Sequence, residues 1–131
     1  MTTPSASEWI VVDSSGWVEY LGDGPKADRF APYLELPDNL LLPSIVVYEV
    51  YKKLLREERK DLADIFLSQA FGCHGRLIEL DLELAIMAAR TSLETHLPMA
   101  DAIIYAIARR YHAKLVTCDA HFAGLSDVTV V

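Results

Sequence analysis

Short apolar runs rich in β-branched residues alternate along this chain with segments whose apolar positions recur at helical spacing. That alternation predicts an α/β fold. Trp9 to Asp13 reads as the first strand. A helix over about Ser15 to Leu21 follows and is broken by Gly22 to Gly24, and Pro25 suits the first position of a second helix reaching about Leu34. Leu40 to Leu42 forms a short buried strand. Ser44 is placed to cap a helix running to about Arg59, with Val47, Val50, Tyr51 and Leu54 as its inner stripe. Asp61 to Phe71 is another helix, stopped by Gly72, and Arg76 to Leu80 is a strand. Asp81 caps a helix that carries Leu82, Ala85, Ile86, Ala89 and Leu93 on one face. Beyond Pro98 a helix spans about Met99 to His112, and its stretch Ala102 to Ala108 is apolar all round, as in a helix buried between neighbours. Lys114 to Thr117 and Val128 to Val131 complete about five short strands. Strands joined by helical crossovers imply a parallel sheet covered on both faces.

Length and composition narrow this picture. A chain of 131 residues with 52% hydrophobic content fits one domain over residues 1–131, with 1–8 as a flexible N-terminus. That N-terminus is small and polar and lacks a basic stretch, so it is no secretory signal, and no apolar run is long enough for a bilayer. The expectation is a soluble cytoplasmic protein without membrane association. Cys73 and Cys118 are too few for a disulfide framework and read as buried or half-buried thiols. The net charge of −7 argues against a module that simply coats nucleic acid, but not against an enzyme that gathers carboxylates around cations.

Four acids stand where a solvated surface acid is unexpected. Asp13 ends the apolar run Trp9-Ile-Val-Val, and Asp119 lies two residues past Thr117 at the end of another. Ligands of open α/β sheets bind outside the carboxyl ends of the strands, so both acids point to one crevice. Asp101 sits in the first turn of the most buried helix, and Glu49 follows a turn, Ile45 to Tyr48, that is apolar on every side. Acids from four segments, each adjoining the core, can converge on one cation. Each also has a plainer account. Asp101 suits the positive end of a helix dipole, and Glu49 precedes Lys53 by four residues, on the side opposite Val47 and Tyr51. Asp13 with Ser14 and Ser15 suits a strand-to-helix turn, and Asp119 suits the cap of a turn holding Phe122. Their joint occurrence favours a site.

These segments resemble a known family. Val11-Val-Asp13-Ser-Ser is similar to the opening strand of PIN-domain ribonucleases, and Pro43-Ser44-Ile-Val-Val-Tyr-Glu49 to the family's helix carrying a Glu. Asp101-Ala-Ile-Ile-Tyr-Ala106 resembles the Asp-Ala-x-Ile-x-Ala helix, and Leu115-Val-Thr-Cys-Asp119-Ala-His-Phe122 the closing Thr-x-Asp motif with its aromatic. The match runs the whole length and points to the VapC-type toxins of toxin–antitoxin pairs. The resemblance implies a three-layer α/β/α sandwich, a homodimer, and Mg²⁺- or Mn²⁺-dependent cleavage of RNA to 5′-phosphate and 3′-hydroxyl ends, restrained by an antitoxin. It implies catalytic roles for Asp13, Glu49, Asp101 and Asp119, with metal held by Asp13, Asp101 and Asp119 and with Ser14 and Thr117 in support. One departure stands out: many relatives carry a second acid before the closing aromatic, where this chain has His121. Whether His121 joins the site is open at this level.

Lys52, Lys53, Arg56, Arg59 and Lys60 are five of the chain's twelve basic residues and fall within nine positions. They read either as a solvated face balanced by Glu57 and Glu58 or, for Lys52, Lys53 and Arg56, as an RNA-backbone stripe near Glu49. Arg109 and Arg110 suit the C-terminal end of a helix dipole, and His96 and His112 look structural. Cys118-x-x-His121 with Cys73-His74 makes zinc conceivable, but nothing visibly joins the pairs. Two alternatives stand beside the toxin reading: a PIN nuclease of RNA processing without an antitoxin, and a catalytically silent α/β binding module.

Overall fold

The structure is a computed structural model describing residues 8–35, 37–72 and 76–131. Expectations for residues 1–7, Cys73 and His74 lie outside the described residues. Strand β1 (Ile10–Val12) is followed by α1 (Ser14–Leu21) and α2 (Ala27–Leu34), then β2 (Leu40–Pro43), α3 (Ser44–Arg56) and α4 (Lys60–Phe71). The chain continues through β3 (Arg76–Ile78), α5 (Leu82–Thr95), α6 (Met99–Arg110), β4 (Lys114–Thr117) and β5 (Val128–Val130). All pairings are parallel and the sheet order is β3-β2-β1-β4-β5. Right-handed crossovers place α1 to α4 on one face and, because the order reverses at β1, α5 and α6 on the other. The expected α/β/α sandwich with five parallel strands is therefore the fold. Among the described residues no helix is long and apolar enough to cross a membrane.

Burial on both faces explains the composition of the central strands. Ile10, Val11, Val12, Leu115 and Val116 are all buried, as are all seven residues Ala102 to Ala108 of α6. Helix α1 lies close enough to the sheet that Gly16 has no room for a side chain: a Cβ there would stand 2.6 Å from atoms of both Val12 and Phe30. This close approach fixes the turn carrying Asp13.

Several local expectations need correction. Ser44 is the first helical residue rather than the cap, because Pro43 still pairs with Ile78 in the sheet and the strand runs straight into the helix. Helix α3 ends at Arg56 rather than Arg59, since Glu58 turns to a φ of 59°. Its buried line is Val46, Val50 and Leu54, while Val47 and Tyr51 are only partly covered. Helix α2 starts after Pro25, whose neighbour Lys26 donates its backbone N–H to Glu19 at 2.8 Å. The largest error concerns α5. Asp81 caps it as expected, accepting from the Leu84 N–H at 2.8 Å, but Leu84, Ala88 and Thr91 face inward. Leu82, Ile86 and Leu93 lie exposed. The helix is apolar on two sides, and packing against α6 buries the Leu84, Ala88 and Thr91 side, with Arg110 to Asp81 and Glu83 and Arg109 to Glu94 as exposed ion pairs at its margin.

Candidate active site

Strands β1 and β4 are neighbours at the point where the sheet order reverses, the place where open α/β sheets leave a crevice at their carboxyl ends. Asp13 leaves β1 directly into α1 and caps that helix. Its Oδ1 accepts from the Gly16 N–H at 3.1 Å and from the Ser15 hydroxyl at 2.8 Å, and its Oδ2 accepts from the Thr117 hydroxyl at 2.7 Å. Thr117 is fully buried, and its oxygen in turn accepts the Asp119 backbone N–H at 2.9 Å. One hydroxyl thus ties the acid after β1 to the acid after β4. Ser15 reinforces the tie, with its oxygen 3.3 Å from that of Thr117 and 3.4 Å from the Cys118 backbone nitrogen. Ser14, the hydroxyl that the sequence singles out, hydrogen-bonds the Glu49 carboxylate, while the role of its neighbour Ser15 becomes visible only once β4 packs beside it.

The electrostatics link all four acids. Burial pushes the Asp13 carboxyl above its ordinary pKa, the Thr117, Ser15 and Gly16 hydrogen bonds oppose this, and the charge of Asp119 adds to it. Glu49 is raised chiefly by burial as well, partly offset by Ser14 and reinforced by Asp13. Asp101 is raised by burial, then by Asp119 and Glu49, with His121 opposing. Each acid therefore feels at least one of the others across the crevice. The plainer account of Glu49 fails on two observations: Lys53 pairs with Glu57 at 3.5 Å, and the Glu49 Oε1 is buried without a hydrogen-bond partner. An orphaned carboxylate oxygen among like charges is costly in a folded chain. It suits a place where a cation or its water belongs.

Asp101, Asp119 and His121 form the tightest group, each offering one ligand atom with all three atoms within 4.8 Å of one another. Asp13 and Glu49 flank this group without belonging to it. The donor set, carboxylates with one imidazole, fits a divalent cation. The Cys118 thiol lies against Ser15 at 3.4 Å and does not join His121, so the zinc arrangement does not form among the described residues. Asp119 also caps the turn Ala120–Phe122, as its plainer account expects.

Beside the acids runs a cleft of about 500 Å³ lined by Ser14, Ser15, Glu49, Cys118, Tyr48, Lys52, Lys53 and Arg56. The basic cluster divides here. Arg59 and Lys60 are held by Asp61 and Asp64, whereas Lys52, Arg56 and Lys53, the last also paired with Glu57, face the cleft. Lys52 lies over the Tyr48 ring, 5.3 Å from its centroid, and its Nζ is 3.2 Å from the phenol oxygen.

Compared with known domain families, residues 10–128 match the PIN domain. The chain belongs to the PIN-domain family. Solved structures with this fold include a toxin–antitoxin complex from Klebsiella pneumoniae at 19% identity and a TM-score of 0.72, covering 92% of this PIN domain chain and 96% of that one. The sarcin–ricin-loop-cleaving toxin VapC20 of Mycobacterium tuberculosis matches at 17% identity and a TM-score of 0.73, covering 89% and 95% of the two chains. VapBC2 from Rickettsia felis, bound to a fragment of its promoter DNA, matches at 20% identity and a TM-score of 0.68, covering 93% and 96%. Comparison with curated protein sequences finds no significant relative.

Proposed function

We propose that this PIN domain is a Mg²⁺- or Mn²⁺-dependent endoribonuclease acting in the cytoplasm as the toxin of a toxin–antitoxin pair. The observation that carries the reading is the convergence of Asp13, Glu49, Asp101 and Asp119, from four separate elements, on the crevice at the strand-order reversal. Asp101 and Asp119 would hold the cation, with Asp13 beside them. When bound, a hard divalent ion neutralises the carboxylates and supplies an activated water for in-line attack on a phosphodiester. Glu49, whose Oε1 has no protein donor, is placed to accept a hydrogen bond from an attacking water and would take up its proton. Thr117 and Ser15 keep Asp13 fixed, and Lys52, Lys53 and Arg56 hold the RNA backbone along the adjoining cleft.

Two partners complete the reading. The solved complexes of this fold support an antitoxin, and an acidic chain of net charge −7 suits a basic inhibitory segment. The uncovered apolar side of α5, with Leu82 78% and Leu93 80% exposed, supports a homodimer. The deciding experiment is cleavage of RNA by purified protein with Mn²⁺, compared with a folded Asp101→Asn variant that should be nearly inactive. Normal activity in that variant overturns the site. Expression alone should arrest growth and a co-expressed neighbouring gene should relieve it; unimpaired growth with active, unpartnered protein would instead favour an RNA-processing nuclease.

A further inference from the structure

His121 is the feature of the crevice that the four-acid reading leaves unused. Its Nδ1 lies 3.3 Å from Asp119 Oδ1 and 3.9 Å from Asp101 Oδ2. Around an octahedral ion with bonds of roughly 2.1 Å, adjacent donors stand about 3 Å apart and opposite donors about 4.2 Å apart. Both measured separations fall inside that window. The backbone is held in place: the His121 N–H donates to Asp119 at 2.9 Å, and the next residue, Phe122, is fully buried. The side chain is 69% exposed, and among the described residues its polar partners are the two acids.

We propose that His121 is a nitrogen ligand to the cation held by Asp101 and Asp119, so that this site prefers first-row transition ions over Mg²⁺. The inference rests on the nuclease reading and deepens it by naming the ion class. Mg²⁺ favours oxygen donors and retains its waters, so exchanging a water for imidazole offers it little. Imidazole suits Fe²⁺, Ni²⁺ and Zn²⁺, and affinity for nitrogen-bearing sites rises from Mn²⁺ toward Ni²⁺. A neutral nitrogen also completes the group without adding a further negative charge to acids that already repel one another. The competing account makes His121 a counter-charge to Asp101 and Asp119. The two differ in sign: removing a counter-charge tightens every divalent cation, whereas removing a ligand weakens transition ions selectively.

The test uses untagged, metal-free, full-length protein titrated calorimetrically with Mg²⁺, Mn²⁺ and Ni²⁺, alongside His121→Ala and His121→Asp. Because the ring is exposed, neither variant should perturb the fold, which a melting curve verifies. Wild type should prefer Ni²⁺ to Mg²⁺, and His121→Ala should reduce that preference by roughly tenfold or more, with His121→Asp restoring Mg²⁺ affinity in compensation. Pulsed EPR of the Mn²⁺ complex should show nitrogen coupling in wild type that both variants lose. Binding by wild type with a preference and spectrum untouched by His121→Ala overturns the nitrogen ligand and leaves the nuclease reading standing. Absence of any divalent-ion binding to wild type overturns both.

Discussion

Replacing Asp13 by Asn should stabilise the metal-free protein while destroying cleavage. Asp13 is 2% exposed and accepts three hydrogen bonds, from Ser15, Gly16 and Thr117. Hydrogen bonds to a charged group contribute about 1.5–3 kcal/mol each and neutral ones about 0.5–1.5, so neutralising the side chain forfeits roughly 3 kcal/mol. Burying a carboxylate costs several kcal/mol, and the raised pKa shows that burial prevails. The amide keeps the capping oxygen toward Gly16, and its NH₂ donates to the Thr117 oxygen, whose proton turns toward Ser15. The net gain should therefore be modest, about 0.5–2 kcal/mol, as is common when a functional site is relieved of strain. For a domain of this size that is a rise in Tm of roughly 2–8 °C. The pH dependence has a definite sign. With its folded pKa above the unfolded value, Asp13 costs nothing at low pH, and the penalty grows as pH rises through the folded pKa. The gap between variant and wild type in EDTA should accordingly close in acid and widen toward pH 7. Free Mn²⁺ at a hundred times its Kd should stabilise wild type by about 2.7 kcal/mol, or about 10 °C, and the variant much less. Thermal melts across pH, in EDTA and in Mn²⁺, measure all of this. An Asn variant that melts lower than wild type at every pH, with Mn²⁺ shifting both equally, would reduce Asp13 to a helix cap and refute the argument.

Three further outcomes follow from the same geometry. Thr117→Val, which deprives a buried carboxylate of its donor and the Asp119 N–H of its acceptor, should lower Tm by the equivalent of about 1–3 kcal/mol, a loss read from chemical denaturation. Lys52→Ala with Arg56→Ala should weaken RNA binding and reduce the slope of log affinity against log salt by about 1.4, the value for two phosphates on a single strand; an unchanged slope returns these residues to solvent. Leu82→Glu with Leu93→Glu should convert a dimer to monomer in light scattering without unfolding it, since both side chains are exposed within the chain.

How much of this was legible beforehand depends on which forces set each feature. Strand β4 at Lys114–Thr117 and the all-round burial of Ala102 to Ala108 follow from local apolar content, and both were readable. Phase was harder. Val46 rather than Val47 lines α3, because the helix begins directly at the end of a strand and the sheet sets its rotation. Helix α5 carries the apolar face that the spacing predicts, but that face is the uncovered one, since α6 packs on the Leu84, Ala88 and Thr91 side instead. The four acids could be chosen from their positions at the ends of apolar runs. The role of Ser15 could not, because its partner Thr117 lies 102 residues away. His121 stayed undecided for the same reason: its approach to Asp101 exists only once α6 and the turn after β4 meet above the sheet.

The acids are not equivalent, and their surroundings assign the labour. Asp13 has both oxygens engaged by protein donors, so it is rigid and can neither swing toward substrate nor release a proton without disturbing the start of α1. Glu49 is the opposite case: it sits well inside an amphipathic helix, half-buried, with one oxygen unmatched by any donor. A group that must accept a proton benefits from a pKa pushed upward, and burial together with Asp13 pushes Glu49 that way. Asp101 and Asp119 are part-buried and close enough to share an ion with His121. The fold thus places its most constrained carboxylate where the sheet and α1 already demand a cap. It leaves Glu49, with its buried Oε1 unmatched, on the wall of the cleft that Lys52, Lys53 and Arg56 also line. A chain that merely tolerated four acids near its core would satisfy each locally; here a buried, unmatched carboxylate oxygen borders the cleft along which the proposed substrate would lie.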